Sequence, residues 1–271
     1  MHRVRAMTAD DTARCGTICY EAFREVAVRH HFPPDFSRPE DAIELVASLH
    51  ANNKFFSVLA ESDGCILGSN FLDERSTIFS VGPITVAPRS RDHRVGHALL
   101  TAVLARSEHL GAPGVRLVQA GYNTRSMSLY TKLGFRVRAP LAVVQVRPLA
   151  RSADGFDVRM ATEADLARCD EFCTEVHGHH RTGELREAIA NGSARVVIRR
   201  GRITGYTTGI GFAWALRRDE QRRCQSAHRQ CGLLHLDWIS RAARQRRAIA
   251  LVSRTTTPNR LPAQLDVTGL V

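Results

Sequence analysis

Apolar positions recur along this chain with two spacings, and the places where one gives way to the other define its predicted elements. The run Ile84-Thr85-Val86-Ala87-Pro88 is apolar and β-branched and stops at a proline that cannot continue a ladder, which predicts a short buried strand. A polar, basic stretch follows, Arg89-Ser90-Arg91-Asp92-His93-Arg94. Then Val95, Ala98, Leu99, Ala102 and Val103 fall on one face at helical spacing. From Val86 to Phe135 the pattern reads strand, Arg-rich turn, helix, strand, helix. Upstream, Ser57-to-Leu67 reads as two strands joined at Asp63-Gly64, and downstream Val196-to-Thr204 reads as two strands joined at Arg200-Gly201, both hairpin patterns.

The chain also repeats itself. A shift of 154 positions aligns Val4-Arg5 with Val158-Arg159, Thr8 with Thr162, Asp11 with Asp165, Ala13-Arg14-Cys15 with Ala167-Arg168-Cys169, Cys19 with Cys173 and Glu21 with Glu175. Each copy is predicted to start with a short strand, a threonine cap at Thr8 or Thr162 and an amphipathic helix. After Gly211-Phe212 the second copy loses its pattern. No counterpart of the Arg-rich turn follows, and only Trp214, Leu233-Leu234, Leu236 and Ile239 suggest a short helix. Two explanations stay open for residues 213–271: a divergent or disordered tail, or translation outside the original reading frame, for which the arginine-heavy usage (36 arginines, two lysines) argues.

The turn before the central helix has a chemical meaning. The first amides of a helix lack internal partners and together carry about half a positive charge, so an Arg-rich turn there suits an anion, most often a phosphate. Gly96 lets the backbone come close. In this order of elements the chain resembles the Gcn5-related N-acetyltransferase family. That family's turn signature, Arg/Gln-x-x-Gly-x-Gly/Ala, corresponds here to Arg91-Asp92-His93-Arg94-Val95-Gly96, and its second signature corresponds to Asn123, Tyr130 and the Leu133-Gly134-Phe135 step. Arg94 replaces the first glycine. If the position requires a left-handed backbone, arginine there costs about 1 kcal/mol or more; if not, its guanidinium could grip a pyrophosphate directly.

The resemblance implies an α/β fold with a mixed central sheet flanked by helices and acetyl-CoA as the donor substrate. It assigns donor binding to the edge formed by Ile84, Thr85 and Val86, to Arg91, Asp92, His93, Arg94, Val95, Gly96 and His97, and to Asn123, which alternatively caps its helix. The main chain of Ile84 and Val86 would pair with the pantetheine amides as an added strand. Tyr130 is expected to act as general acid, giving a proton or a hydrogen bond to the leaving thiolate. For the base that frees the acceptor amine, Glu21, His30, His31, Glu61, Asp73 and Glu74 stay open, as does a water chain. The expected reaction is direct transfer of an acetyl group to a primary amine of a small molecule or protein. The alternatives are an acyl-CoA binder without turnover and a decayed tandem acetyltransferase.

Composition narrows the remaining classes. The net charge of +11 suggests nucleic acid, but residues 213–271 hold eleven arginines against four acids, and no folded recognition motif accompanies them. No stretch approaches the ~20 apolar residues of a membrane span and no secretory pattern opens the chain, so a cytoplasmic location is expected. Seven cysteines are read as reduced thiols. Cys15 with Cys19 and Cys169 with Cys173 are expected to pack as small hydrophobes. His177-Gly178-His179-His180 lacks a partner at defined spacing, and no metal is expected; an acceptor-side loop or a solvated turn remains for it. The predicted organisation is an acetyltransferase domain over 1–150, a partial second copy over 157–212 and an irregular basic tail over 213–271.

Overall fold

The computed structural model describes residues 2–143, 155–209 and 247–255, with the backbone course alone at 141–143 and 247–255. In chain order the elements are β1 (Arg3–Ala6), α1 (Thr12–Arg29), α2 (Pro39–Ala51), β2 (Phe55–Ser62), β3 (Cys65–Asp73), β4 (Phe79–Val81), β5 (Thr85–Val86), α3 (Val95–His109), β6 (Gly114–Ala120), α4 (Thr124–Lys132) and β7 (Arg136–Val143). They continue with β8 (Phe156–Met160), α5 (Leu166–His177), α6 (Thr182–Ala190), β9 (Arg195–Arg199), β10 (Arg202–Thr207) and β11 (Arg247–Thr255).

The main sheet is mixed, in the order β1-β2-β3-β4-β6-β11-β7, with β5 also paired to β3. Its central strands are buried on both faces, which explains their nearly unbroken apolar sequence. Val58 and Ala60 of β2 and Leu72 of β3 meet Leu99, Leu100 and Val103 of α3 on one face. Leu59 and Phe71 turn to the other, where they meet Cys15 and Cys19 of α1 and Ala42 and Val46 of α2. Each large side chain removed from water in these layers contributes about 1.5–3 kcal/mol. The α/β architecture with flanking helices is the one expected. The cysteines of α1 and α5 are buried, and burial pushes the Cys15 thiol up to about 12 and that of Cys169 to about 11, so neither is a ready nucleophile.

Both hairpin turns form at the expected residues. Asp63 and Gly64 have φ of 51° and 74°, and Arg200 and Gly201 have φ of 49° and 72°, the two consecutive positive angles that a tight hairpin with right-twisted strands needs.

Residues 155–209 form a second layer with a sheet ordered β10-β9-β8 and its own core of Leu166, Cys169, Leu185 and Val196. Its element order, strand, two helices and two strands, matches the order that opens the chain. The likeness extends to individual bonds. Arg5 donates from Nη1 and Nη2 to the Asp11 carboxylate at 2.7 and 2.9 Å, and Arg159 does so to Asp165 at 2.6 and 2.7 Å. The Thr8 and Thr162 amides each donate to the same aspartates at 2.8 Å. The guanidinium beside each aspartate holds its carboxyl well below the usual carboxylate range.

One expectation requires correction. Residues 247–255 do not belong to an irregular tail, because β11 lies between β6 and β7 and pairs antiparallel with both. Their Ala-Ile-Ala-Leu-Val-Ser core suits a strand, and the first domain's sheet therefore includes a segment about a hundred residues beyond its expected end near 150. The remaining parts of 213–271, including the short helix suggested at Leu233–Ile239, lie outside the described residues.

Candidate active site

Strand pairing opens the site. β4 and β6 run parallel only through Phe79↔Val115 and Ser80↔Arg116. Beyond that point β5 stays with β3 through Gly68↔Val86 and Ser69↔Thr85, while β6 stays with β11. The sheet therefore splits, and the facing edges of β5 and of residues 117–120 have no strand partner among the described residues. A cavity of about 1750 Å³ fills the split and runs from the start of α3 to the loop after α5.

The start of α3 lies at one end of this cavity. Its first helical bond is donated by Ala98 to the Arg94 carbonyl at 3.0 Å, leaving the amides of Val95, Gly96 and His97 without helical partners. Gly96 sits where a Cβ would lie 3.3 Å from Leu129 and 3.6 Å from Val86, so the helix start approaches both β5 and α4 closely. Ile84, Thr85, Val86, Arg91, Asp92, Arg94, Val95, Gly96, His97, Asn123 and Tyr130 all line the cavity. His93 does not, and is exposed.

The basic side chains of the turn do different work. Arg91 donates to Glu25 of α1 at 2.5 Å and so fastens the turn to the domain. Arg125 is paired with Asp92. Arg94 is exposed, has no carboxylate partner among the described residues and caps α3 with φ 59° and ψ 13°. This settles the question its sequence position raised: the backbone is left-handed there and arginine strains it. Arg94→Gly is expected to raise stability by about 1 kcal/mol, read as a higher urea midpoint at unchanged slope.

Asn123 caps α4, its Oδ1 accepting from the Ser126 amide at 3.3 Å, while also lining the cavity. Tyr130 is buried against Phe135, with ring centroids 5.9 Å apart. Burial raises its phenol well above the ordinary value near 10, and a hydrogen bond with Ser126 opposes the shift. Gln119 of β6 lines the cavity too, and its buried Oε1 has no partner among the described residues.

Among the candidate bases only His30 and Asp73 line the cavity. His30 lies 5.0 Å from the Tyr122 ring, which stacks on Phe32 at 4.3 Å. Asp73 is held by Arg75 at 2.6 Å. Glu61 is paired with Arg3 and Arg5, and Glu74 with Arg106. Those two, with Glu21 and His31, do not line the cavity.

The far end of the cavity is built partly by the second layer, through His177, His179 and Arg181. Arg75 bridges the layers by donating to Glu187 at 2.8 Å, and Gly183 sits where a Cβ would lie 2.0 Å from the Arg75 carbonyl oxygen. Arg116 of β6 donates to His179 Nδ1 at 2.9 Å and to the His177 carbonyl at 3.1 Å. Burial and this guanidinium lower the His179 pKa to about 4, so the ring is neutral near pH 7. Its Nδ1 also lies 3.2 Å from the His177 carbonyl oxygen, so the ring is held between the Arg116 guanidinium and that carbonyl. Sequence reasoning missed Arg116 and Gln119. The visible signal is a polar residue inside a buried strand, at two positions of Gly-Val-Arg-Leu-Val-Gln-Ala.

A mixed sheet that splits beside the start of α3, where three amides lack helical partners, defines the first domain as an α/β fold with an open cleft. Residues 20–135 match the family model described as Acetyltransferase (GNAT) family. Solved structures to which the chain is similar include three acetyltransferases. The ribosomal-protein-S18-alanine N-acetyltransferase from Escherichia coli is 18% identical, with 52% of this chain and 81% of that one covered and a TM-score of 0.42. A GNAT family acetyltransferase from Brucella melitensis in complex with acetyl-CoA is 26% identical, with 50% and 83% covered and a TM-score of 0.39. A putative acetyltransferase from Salmonella typhimurium with its cofactor acetyl-CoA is 21% identical, with 54% and 86% covered and a TM-score of 0.45. No curated protein matches the chain. Among the described residues, no helix is long and apolar enough to cross a membrane.

Proposed function

We propose that the first domain transfers an acetyl group from acetyl-CoA to a primary amine by direct attack, and that residues 157–212 are an incomplete second copy of the same fold, whose described part, to residue 209, walls the acceptor end. The observation that carries this reading is the split between β5 and β6 with three unpaired α3 amides at its mouth. The residues present fit the donor. The amides of Val95, Gly96 and His97 suit a pyrophosphate. The close approach at Gly96 keeps that anion near the backbone, and the unpaired edge of β5 offers main-chain groups to an extended pantetheine arm.

Acetyl-CoA supplies a thioester whose acetyl group passes to the amine nitrogen as the carbon–sulfur bond breaks. The chain's residues hold and orient it. Tyr130, kept neutral by burial across the physiological range, presents its O–H to the sulfur. With its pKa raised away from that of a thiol, the phenol acts chiefly as a hydrogen-bond donor to the departing thiolate. His30 lies in the cavity as the candidate to take the proton of the attacking amine.

Acetyl-CoA is expected to raise the melting temperature of the full chain, and an amine acceptor to release free thiol. Tyr130→Phe is expected to lower kcat by about 100-fold while leaving the thermal stabilisation in place. Stabilisation without turnover would favour the non-catalytic binder. No stabilisation at all would end the acetyltransferase reading.

A further inference from the structure

Among the described residues, every arginine lining the cleft except Arg94 and Arg116 has a carboxylate partner, Arg29 and Arg91 sharing that of Glu25. Arg75 is held by Asp73 and Glu187, Arg91 by Glu25, Arg125 by Asp92 and Arg181 by Glu184. Arg94 stands exposed at the donor mouth. Arg116 differs from all of these: it is half-buried and lines the cavity, yet no carboxylate pairs with it among the described residues. Two of its five N–H groups are donated to His179 and to the His177 carbonyl, both neutral acceptors. Burial and the neighbouring charges of Arg138 and Arg181 depress its pKa, as expected where positive charge is uncompensated.

Its position in the sheet is equally specific. Arg116 is the last residue of β6 to pair with β4 before the split. Alternation along β6 sends Val115 and Leu117 into the core beside Tyr130 and turns Arg116 and Val118 to the opposite face. Val118 is apolar, 48% exposed and also in the cavity wall. It lies two residues, or about 7 Å of strand, further along toward the open edge. From the second layer to the split, the acceptor end thus offers a fixed guanidinium and then an apolar strip.

We infer that Arg116 is the carboxylate-binding residue of the acceptor site, and that the amine this protein acetylates carries a carboxylate separated from its nitrogen by a short apolar stem. This rests on the acetyltransferase reading above. One guanidinium, with Arg181 already committed to Glu184, supplies about one unit of compensating charge, which suits a carboxylate monoanion better than a phosphate dianion. The planar fork of the free N–H groups matches a carboxylate. His177 and His179 fix the guanidinium from behind, so the second layer positions the residue that selects the acceptor.

The test uses the full chain saturated with coenzyme A, titrated calorimetrically with ω-amino carboxylates of increasing methylene count and with alkylamines of matched length. At least one amino carboxylate is expected to bind about tenfold or more tightly than its matched amine. Arg116→Gln is expected to erase that difference, and Arg116→Lys to recover part of it. Equal binding throughout every matched pair, or a preference that survives Arg116→Gln, overturns the inference. If Arg116→Gln fails to fold, the wild-type comparison and Arg116→Lys decide it. A melting curve with coenzyme A separates the two readings: a protein that coenzyme A does not stabilise fails both, whereas one that it stabilises but that does not discriminate fails only this one.

Discussion

Removing residues 247–271 is expected to abolish the cooperative unfolding transition of the first domain. β11 makes seven residue pairs with β6 and seven with β7, and among the described residues β7 has no other strand partner. Without it, two long edges are left bare in the middle of the sheet, a state prone to aggregation. At a net 0.5–1.5 kcal/mol for each backbone hydrogen bond, the loss is about 5 kcal/mol or more, comparable with the whole stability of a typical domain. Differential scanning calorimetry of the truncated chain should give a broad or absent peak. A synthetic peptide of residues 247–255 added to it should restore part of the transition, as strand addition predicts. A truncated protein that melts as sharply and as high as the full chain would refute the strand's role.

Gly68→Ala should have the next largest effect, on stability and donor binding together. A Cβ at this position would lie 2.3 Å from the Thr85 carbonyl oxygen and 3.0 Å from the Val86 Cα. Both obstructing atoms are backbone, so β5 itself must move. Overpacking of this kind costs about 1–3 kcal/mol. Because β5 forms one wall of the split, its displacement is also expected to weaken acetyl-CoA binding by about tenfold or more, measured by titration calorimetry. Gly205→Ala on β10 is the control: nothing lies within 4 Å of its Cβ position, and a surface change of that kind stays within about 0.5 kcal/mol. Equal effects of the two substitutions would show that the approach of Gly68 to β5 is not what matters.

Local chemistry was legible in the sequence and distant pairing was not. Asp63-Gly64 and Arg200-Gly201 announce their turns because few residue pairs accept two positive φ angles, and the structure places both hairpins there. The turn at 89–96 and the helix after it are equally local, so the helix start could be located from sequence. The strand at 247–255 escaped notice because its apolar core is short and is set among arginines, and its partners lie more than a hundred residues away. Arg116 was invisible for a related reason. An arginine in a strand usually faces water; this one matters because a loop 61 to 63 residues further on folds back to hold it. Arg91 lines the cavity as its place in the turn suggests, but its contact with Glu25, 66 residues earlier, is a pairing no local pattern announces.

The insertion of β11 also sets a timetable for synthesis. β6 and β7 leave the ribosome long before their shared neighbour has been translated, since 112 residues separate Val143 from Thr255. At 5–20 residues per second the nascent domain waits about 6–22 s with a slot open in its sheet, and closing it is a pairing of high contact order, intrinsically slow. During that interval the gap is open to any extended segment nearby, so a cell making this protein quickly has reason to keep a chaperone on the growing chain.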